Sequence, residues 1–126
     1  MLTRRDRQLL GFAIGSVWIF HGLYSKILNR IPRHRAIVGK VLGEEFAAPA
    51  TTAVGVLEVL LGLWVWSGRK RPACAATQTL ALGGMNTLEI VRARELLISA
   101  PGMLALNAML LAGAWIWARP ASEKIR

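Results

Sequence analysis

Cysteine occurs once in the sequence, at Cys74, and histidine twice, at His21 and His34. Disulfide exchange needs two thiols, so the chain alone is not a thiol-quinone reductase and no disulfide redox pair is expected. Haem ligation inside a helical bundle takes paired axial residues, and His34 falls outside the long apolar runs, so no haem is expected. There is no H-x-x-x-H or E-x-x-H spacing, and no metal site is expected. A Gly-rich phosphate loop, a serine nucleophile elbow and a nucleotide fingerprint are all missing. No residue pattern demonstrates catalysis, and the isolated chain does not read as an enzyme. Acidic residues are also scarce, seven Asp and Glu against sixteen Lys and Arg, for a formal net charge of +9.

What is abundant is apolar: 54% of the 126 residues are hydrophobic, five are Trp, and the mean hydropathy is +0.42. Net positive charge can signal nucleic-acid binding, which needs basic residues along one face of a water-soluble element. Here they gather in "TRRDR", "KILNRIPRHR", "SGRKR", "VRAR" and "EKIR". Each cluster adjoins a long apolar run, the arrangement of basic loops around membrane spans, so nucleic acid is set aside and the lipid bilayer is the expected partner.

Four stretches have the roughly 20 residues needed to cross a hydrocarbon core: about 8–28, 47–67, 73–91 and 99–118. Backbone polar groups must be satisfied internally in lipid, so these are helices. The expectation is an all-α fold, a single integral membrane domain over residues 1–126 forming a transmembrane four-helix bundle. The basic start of the chain resembles a signal peptide, but no small-residue cleavage site follows, and Arg4 and Arg5 read as the anchor that begins a span. With both termini on one side, Arg4, Arg5, Arg7, Arg69, Lys70, Arg71, Arg119, Lys124 and Arg126 face Lys26, Arg30, Arg33, Arg35, Lys40, Arg92 and Arg94 across the membrane. That excess places the termini in the cytoplasm of a bacterial inner membrane. Between the first two spans, "PRHRAIVGKVLGEE" sets Ile37, Val38, Val41 and Leu42 on one helical face flanked by Arg33, Lys40 and Glu44, which predicts a short amphipathic helix in the headgroup region. His34, within it, is expected to face headgroups. "SGRKRP" and "RARELLISAP" are tight turns broken by Gly68, Pro72 and Pro101.

Small residues mark the packing faces. Gly11, Gly15, Trp18 and Gly22 share a stripe in the first span, and Thr51, Gly55, Glu58 and Gly62 in the second. Thr79, Gly83 and Asn86 line up in the third with Glu89 a turn on, and Ala108 and Ala112 flank Asn107 in the fourth. Polar groups follow the same faces. Glu58 lies near the middle of its span, and His21 is roughly 4.5 Å past the middle of the first. Asn86, Glu89 and Asn107 fall in the same zone, so every span contributes one or more polar groups to it. A charge at a helix centre costs about 2.5 to 3.5 kcal/mol on insertion scales, which requires Glu58 to be neutral, paired or wetted. His21 is the expected partner, and Glu89 the second candidate for that histidine. Lys26 is close enough to its helix end to snorkel to the headgroups. Asn86 and Asn107 have the character of interhelical hydrogen-bond pairs.

In "WIFHGLYSKIL", "AVGVLEVLLGLWVWSG" and "SAPGMLALNAMLLAG" the sequence resembles the DoxX-like family of small bacterial four-helix membrane proteins. The resemblance spans about residues 10–118. It implies that Gly22 and Lys26, Gly55 and Glu58, and Asn107 are characteristic positions, and it links the chain in name to thiosulfate and quinone oxidation. The combined expectation is an intramembrane ligand zone of His21, Lys26, Glu58, Asn86, Glu89 and Asn107. It would suit a quinone headgroup, with Trp and Leu walls for the ring, beside a redox partner protein. Two other readings stay open: a proton or small-solute pathway, which in so small a chain requires a homo-oligomer, and a structural or assembly subunit whose polar residues only fix helix contacts.

Overall fold

The computed structural model describes residues 3–119, and among them every regular element is helical. Lys124 and Arg126, counted above toward the orientation, lie outside the described residues. Helix α1 covers Arg4–Ile19 and is capped by Thr3, whose side-chain oxygen accepts from the Asp6 backbone N–H, satisfying one of the donors a helix start leaves unpaired. It runs without a break into a π-helical segment, Phe20–Ile27. The wider turn of i→i+5 bonding is rare and recurs at functional sites; here it contains His21 and Lys26.

Pro32 opens α2, Pro32–Leu42, the short helix expected between the first two spans. Ile37 is buried, Val38 and Val41 are half-buried, and Leu42 is exposed. Gly43, at φ +110°, allows the chain to turn directly into α3, Glu44–Ser67, a backbone angle that side chains disfavour. Gly68 ends α3 in the left-handed conformation, and α4 follows at Arg71–Arg92. A single 3₁₀ turn, Arg94–Leu96, precedes α5, Ala100–Ala118, where Ser99 accepts from the Gly102 N–H.

Two of these helices, α3 and α5, are long and apolar enough to cross a membrane by length and composition. Their most apolar windows are 33% and 11% buried within the protein, so most of that apolar surface faces outward. The α-helical part of α1 is only 16 residues long, and α4 carries Gln78, Asn86 and Glu89.

Helix α1 and its π extension lie along α3, while α4 lies along α5 and α1 also touches α5. The start of α1, the α3–α4 turn and the end of α5 gather at one end, where Arg7 bonds the Arg119 carbonyl oxygen. At the other end α2 packs across α3 and the π segment, and Lys40 pairs with Glu95 at 2.9 Å. Core side chains, chiefly Ile14, Trp18, Leu61, Val65, Leu82 and Trp117, fill the centre.

Candidate functional site

Glycines bring the first and third helices into backbone contact. A Cβ on Gly62 would lie 2.6 Å from the Gly15 carbonyl oxygen, and one on Gly55 would lie 2.7 Å from that of Gly22. Gly15 and Gly22 are equally confined by the carbonyls of Gly62 and Gly55. These reciprocal approaches are what small residues permit in helix pairs. Gly11 has a different neighbour, the indole of Trp117. Gly83 does not take part: it is exposed, with nothing within 4 Å of where its Cβ would be. The buried stripe of α4 runs through Gln78, Leu82 and Asn86, and Gly83 lies round the side of the helix from it. Ala108 and Ala112 likewise face outward, because α5 turns Asn107, Ala114 and Trp117 toward its neighbours.

The close approach at Gly22 and Gly55 decides where Lys26 goes. The Lys26 Cβ is 3.0 Å from the position of a Cβ on Gly55, so the lysine stem lies against bare α3 backbone. Glu58 is one turn along the same face of α3, and its Oε1 is 2.8 Å from Lys26 Nζ. Both residues are buried, at 9% and 6% exposure. The expected snorkelling of Lys26 is therefore corrected, and so is the expected pairing of Glu58 with His21: the partner is Lys26. At that distance the ammonium makes a charge-assisted contact with one carboxylate oxygen, and a carboxylate has further lone pairs beyond that one. It retains acceptor capacity.

His21 is half-buried and stacks on His34 of α2 with ring centroids 6.0 Å apart. His34 thus faces the interior zone rather than headgroups. Its burial, followed by the positive charges of Lys26, His21 and Arg33, pushes its pKa down to about 4. Glu89, half-buried on α4, lies within electrostatic reach of Lys26, Glu58 and Arg33. Asn107 Nδ2 donates to Asn86 Oδ1 at 2.9 Å, a bond that ties α5 to α4. The polar residues of the sequence thus fall into two groups: Lys26 and Glu58 with His21, His34 and Glu89 around them, and the Asn86–Asn107 pair.

Three buried polar residues escaped sequence reasoning. Gln78 is fully buried, accepts from the Trp18 indole N–H at 2.9 Å and bonds Cys74 Sγ, joining α4 to α1. Ser25, which the sequence analysis did not single out, and Thr51, which it had read only as a packing residue, are fully buried with hydroxyls lacking a protein partner. A glutamine four residues after a cysteine in an apolar run was the available signal for Gln78. Nothing in the local sequence set Ser25 apart from any other serine near the end of a span.

Helix α4 packs chiefly on α5, and a groove of about 450 Å³ lies between α4 and α3. Leu57, Leu61 and Trp64 of α3 form one wall, Thr77, Ala81 and Met85 of α4 the other, with Trp18 behind. Glu58 is the one ionisable residue in this lining. The carboxylate therefore stands between Lys26 and an apolar groove.

These features define an all-helical protein with two membrane-length apolar helices and an ion pair buried between one of them, α3, and the π-helical segment. Residues 15–115 match the DoxX-like family, and the chain belongs to that family. No curated protein and no solved structure matched it.

Proposed function

We propose that the chain is a multi-pass protein of the bacterial inner membrane, a four-span bundle with cytoplasmic termini, that binds a small lipophilic, quinone-like molecule in the α3/α4 groove as an accessory of a membrane redox system. The observation that carries this reading is Glu58, a buried carboxylate paired with Lys26 on one side and lining an apolar groove on the other. A carboxylate only accepts hydrogen bonds, so the groove favours a ligand with a hydroxyl, as in the reduced form of a quinone, over one that presents carbonyls alone. Trp18, Trp64 and the leucines supply the apolar walls that such sites use. The wider zone expected from the sequence contracts accordingly: Lys26 sets the carboxylate, while His21, Glu89, Asn86 and Asn107 stand outside the groove lining.

The test is carboxyl infrared difference spectroscopy on nanodisc-embedded protein with a short-chain quinol. A carboxyl band that shifts in the wild type, vanishes in Glu58→Gln and is blocked by the groove-filling Ala81→Trp supports the reading. An unchanged wild-type spectrum rejects it. The His21 and His34 rings beside Lys26 favour a second reading, a proton path in an oligomer, for which the discriminating measurement is dissipation of a pH gradient across proteoliposomes.

A further inference from the structure

The α3/α4 groove lies along the flank of the bundle and not at either end. Its lining covers residues 54–64 of α3, about 15 Å of that helix, and residues 77–85 of α4. Both stretches are well inside helices that run Glu44–Ser67 and Arg71–Arg92. Three lining residues are exposed, Leu57, Leu60 and Thr77, the leucines at 64% and 55%. They mark an opening on the outer side of the two helices. Since α3 is long and apolar enough to cross a membrane, that opening meets acyl chains in the multi-pass reading.

Polar contacts inside the groove are few because the chain uses them itself. The Trp18 indole N–H donates to Gln78 Oε1 at 2.9 Å, the Trp64 N–H to the Arg69 carbonyl oxygen at 2.8 Å, and the Thr77 hydroxyl to the Ala73 carbonyl oxygen at 2.9 Å. Among the lining residues this leaves the Glu58 carboxylate to meet a polar group of a ligand. That group must be a donor, because a carboxylate only accepts. Further polar groups on the same head would find no partner in the wall.

We infer that the groove is a side port for a tailed amphiphile. Its hydrocarbon tail lies in the slot between α3 and α4 and leaves through the flank into the bilayer, and its head is selected by one donor placed on Glu58. The inference rests on the proposed groove site and narrows its ligand, from any small lipophilic molecule to a lipid-borne one with a long tail and at least one hydroxyl. The tail trades one apolar environment for another, since lipid chains are as apolar as leucine, and an acyl chain of the bilayer fills the slot when no ligand is there. Discrimination therefore falls to the hydroxyl, whose bond to a charged acceptor is stronger than a neutral one.

The experiment uses the full chain in phosphatidylcholine nanodiscs with two photo-crosslinking probes, a para-dodecyl phenol and its methyl ether, each carrying a diazirine in the middle of the tail. Peptide mass spectrometry locates the label. Ala81 and Met85, half-buried in the lining, report the slot; Leu106 and Met109 of α5, at 68% and 70% exposure, report lipid contact outside it. The phenol is expected to label Ala81 and Met85 about tenfold or more above the ether, the effect of one charge-assisted hydrogen bond. Both probes should label Leu106 and Met109 alike. Equal labelling of the slot by the two probes would show that the tail alone decides occupancy and would overturn selection by a single donor. Phenol label confined to Leu106 and Met109 would overturn the side port. The infrared test separates this inference from the proposed function. A quinol that moves the Glu58 band while the phenol tail stays out of the slot keeps the groove reading and overturns the side port. Slot labelling with an unmoved band rejects the Glu58 contact and, with it, both the quinol reading and selection by one donor.

Discussion

The seam between α1 and α3 and the groove between α3 and α4 occupy two faces of one helix and are built by opposite means. In the seam, Gly15, Gly22, Gly55 and Gly62 bring backbone to backbone, and no ligand-sized volume remains. In the groove, α4 packs chiefly on α5, and leucine and tryptophan side chains border open space. Glu58 sits on the edge shared by both faces, paired across the seam with Lys26 and exposed to the groove on its other side. The difference teaches that the buried charge depends on the seam for its partner and on the groove for any ligand. Disturbing either face therefore has a separable consequence.

The largest effect is expected at the seam. Gly55→Leu would drive a side chain into the Gly22 carbonyl oxygen and the Ile27 and Lys26 side chains. Backbone cannot yield as a flexible side chain can, so the cost should reach about 5 kcal/mol, the upper end of single-site effects. The measurable outcome is loss of a monodisperse folded species in detergent. Recovery of native size and helicity in that variant would mean that the helices can separate cheaply and would undo the contrast with the groove.

Next in size is the ion pair. Lys26→Met leaves Glu58 buried without its cation, a change that costs about 3 to 5 kcal/mol where both partners are enclosed. Combining it with Glu58→Met should restore most of the stability, since replacing both members of a buried pair by apolar groups is commonly neutral. Denaturation midpoints of the two single variants and the double variant form the cycle that measures this coupling. Additive losses would mean the 2.8 Å contact carries no energy.

Much of this arrangement was legible in the sequence. The Gly-x-x-Glu spacing of Gly55 and Glu58, the stripe of Gly15 and Gly22, and the short helix after Pro32 follow from helical periodicity and breaker residues alone. The partner of Glu58 did not, for two reasons. Position near a helix end favoured snorkelling for Lys26, because an isolated helix offers no competing carboxylate. The π-helical segment also changes which side chains share a face after Phe20, and a regular 3.6-residue wheel has no means of showing it. Gly83 misled for a related reason: it lies near the stripe of Thr79 and Asn86 on a wheel, but the packed face of α4 is centred on Gln78 and Leu82. Gln78 had only the weak signal of an amide in an apolar run, four residues after Cys74, and its role shows once Trp18 is seen to donate to it.

The smallest expected effect lies away from both faces of α3, at the half-buried His34 of α2. Its ring packs on His21 near Lys26 and Arg33, its Nδ1 is buried without a hydrogen-bond partner, and its pKa is held at about 4 against an ordinary 6.5. Above pH 6.5 the imidazole is neutral in folded and unfolded chains alike. Between about 6.5 and 4 the unfolded chain binds the proton and the folded chain does not, so stability rises with pH across that window and is lost as the pH falls toward 4. The slope cannot exceed about 1.4 kcal/mol per pH unit for one group, and the half-buried ring should give less. His34→Gln removes the titrating group, so its denaturation midpoint should change less than that of the wild type between pH 7 and pH 4.5. Equal slopes in the two proteins would show that His34 is not the group whose protonation opposes folding, and would remove the acid sensitivity of the molecule from α2.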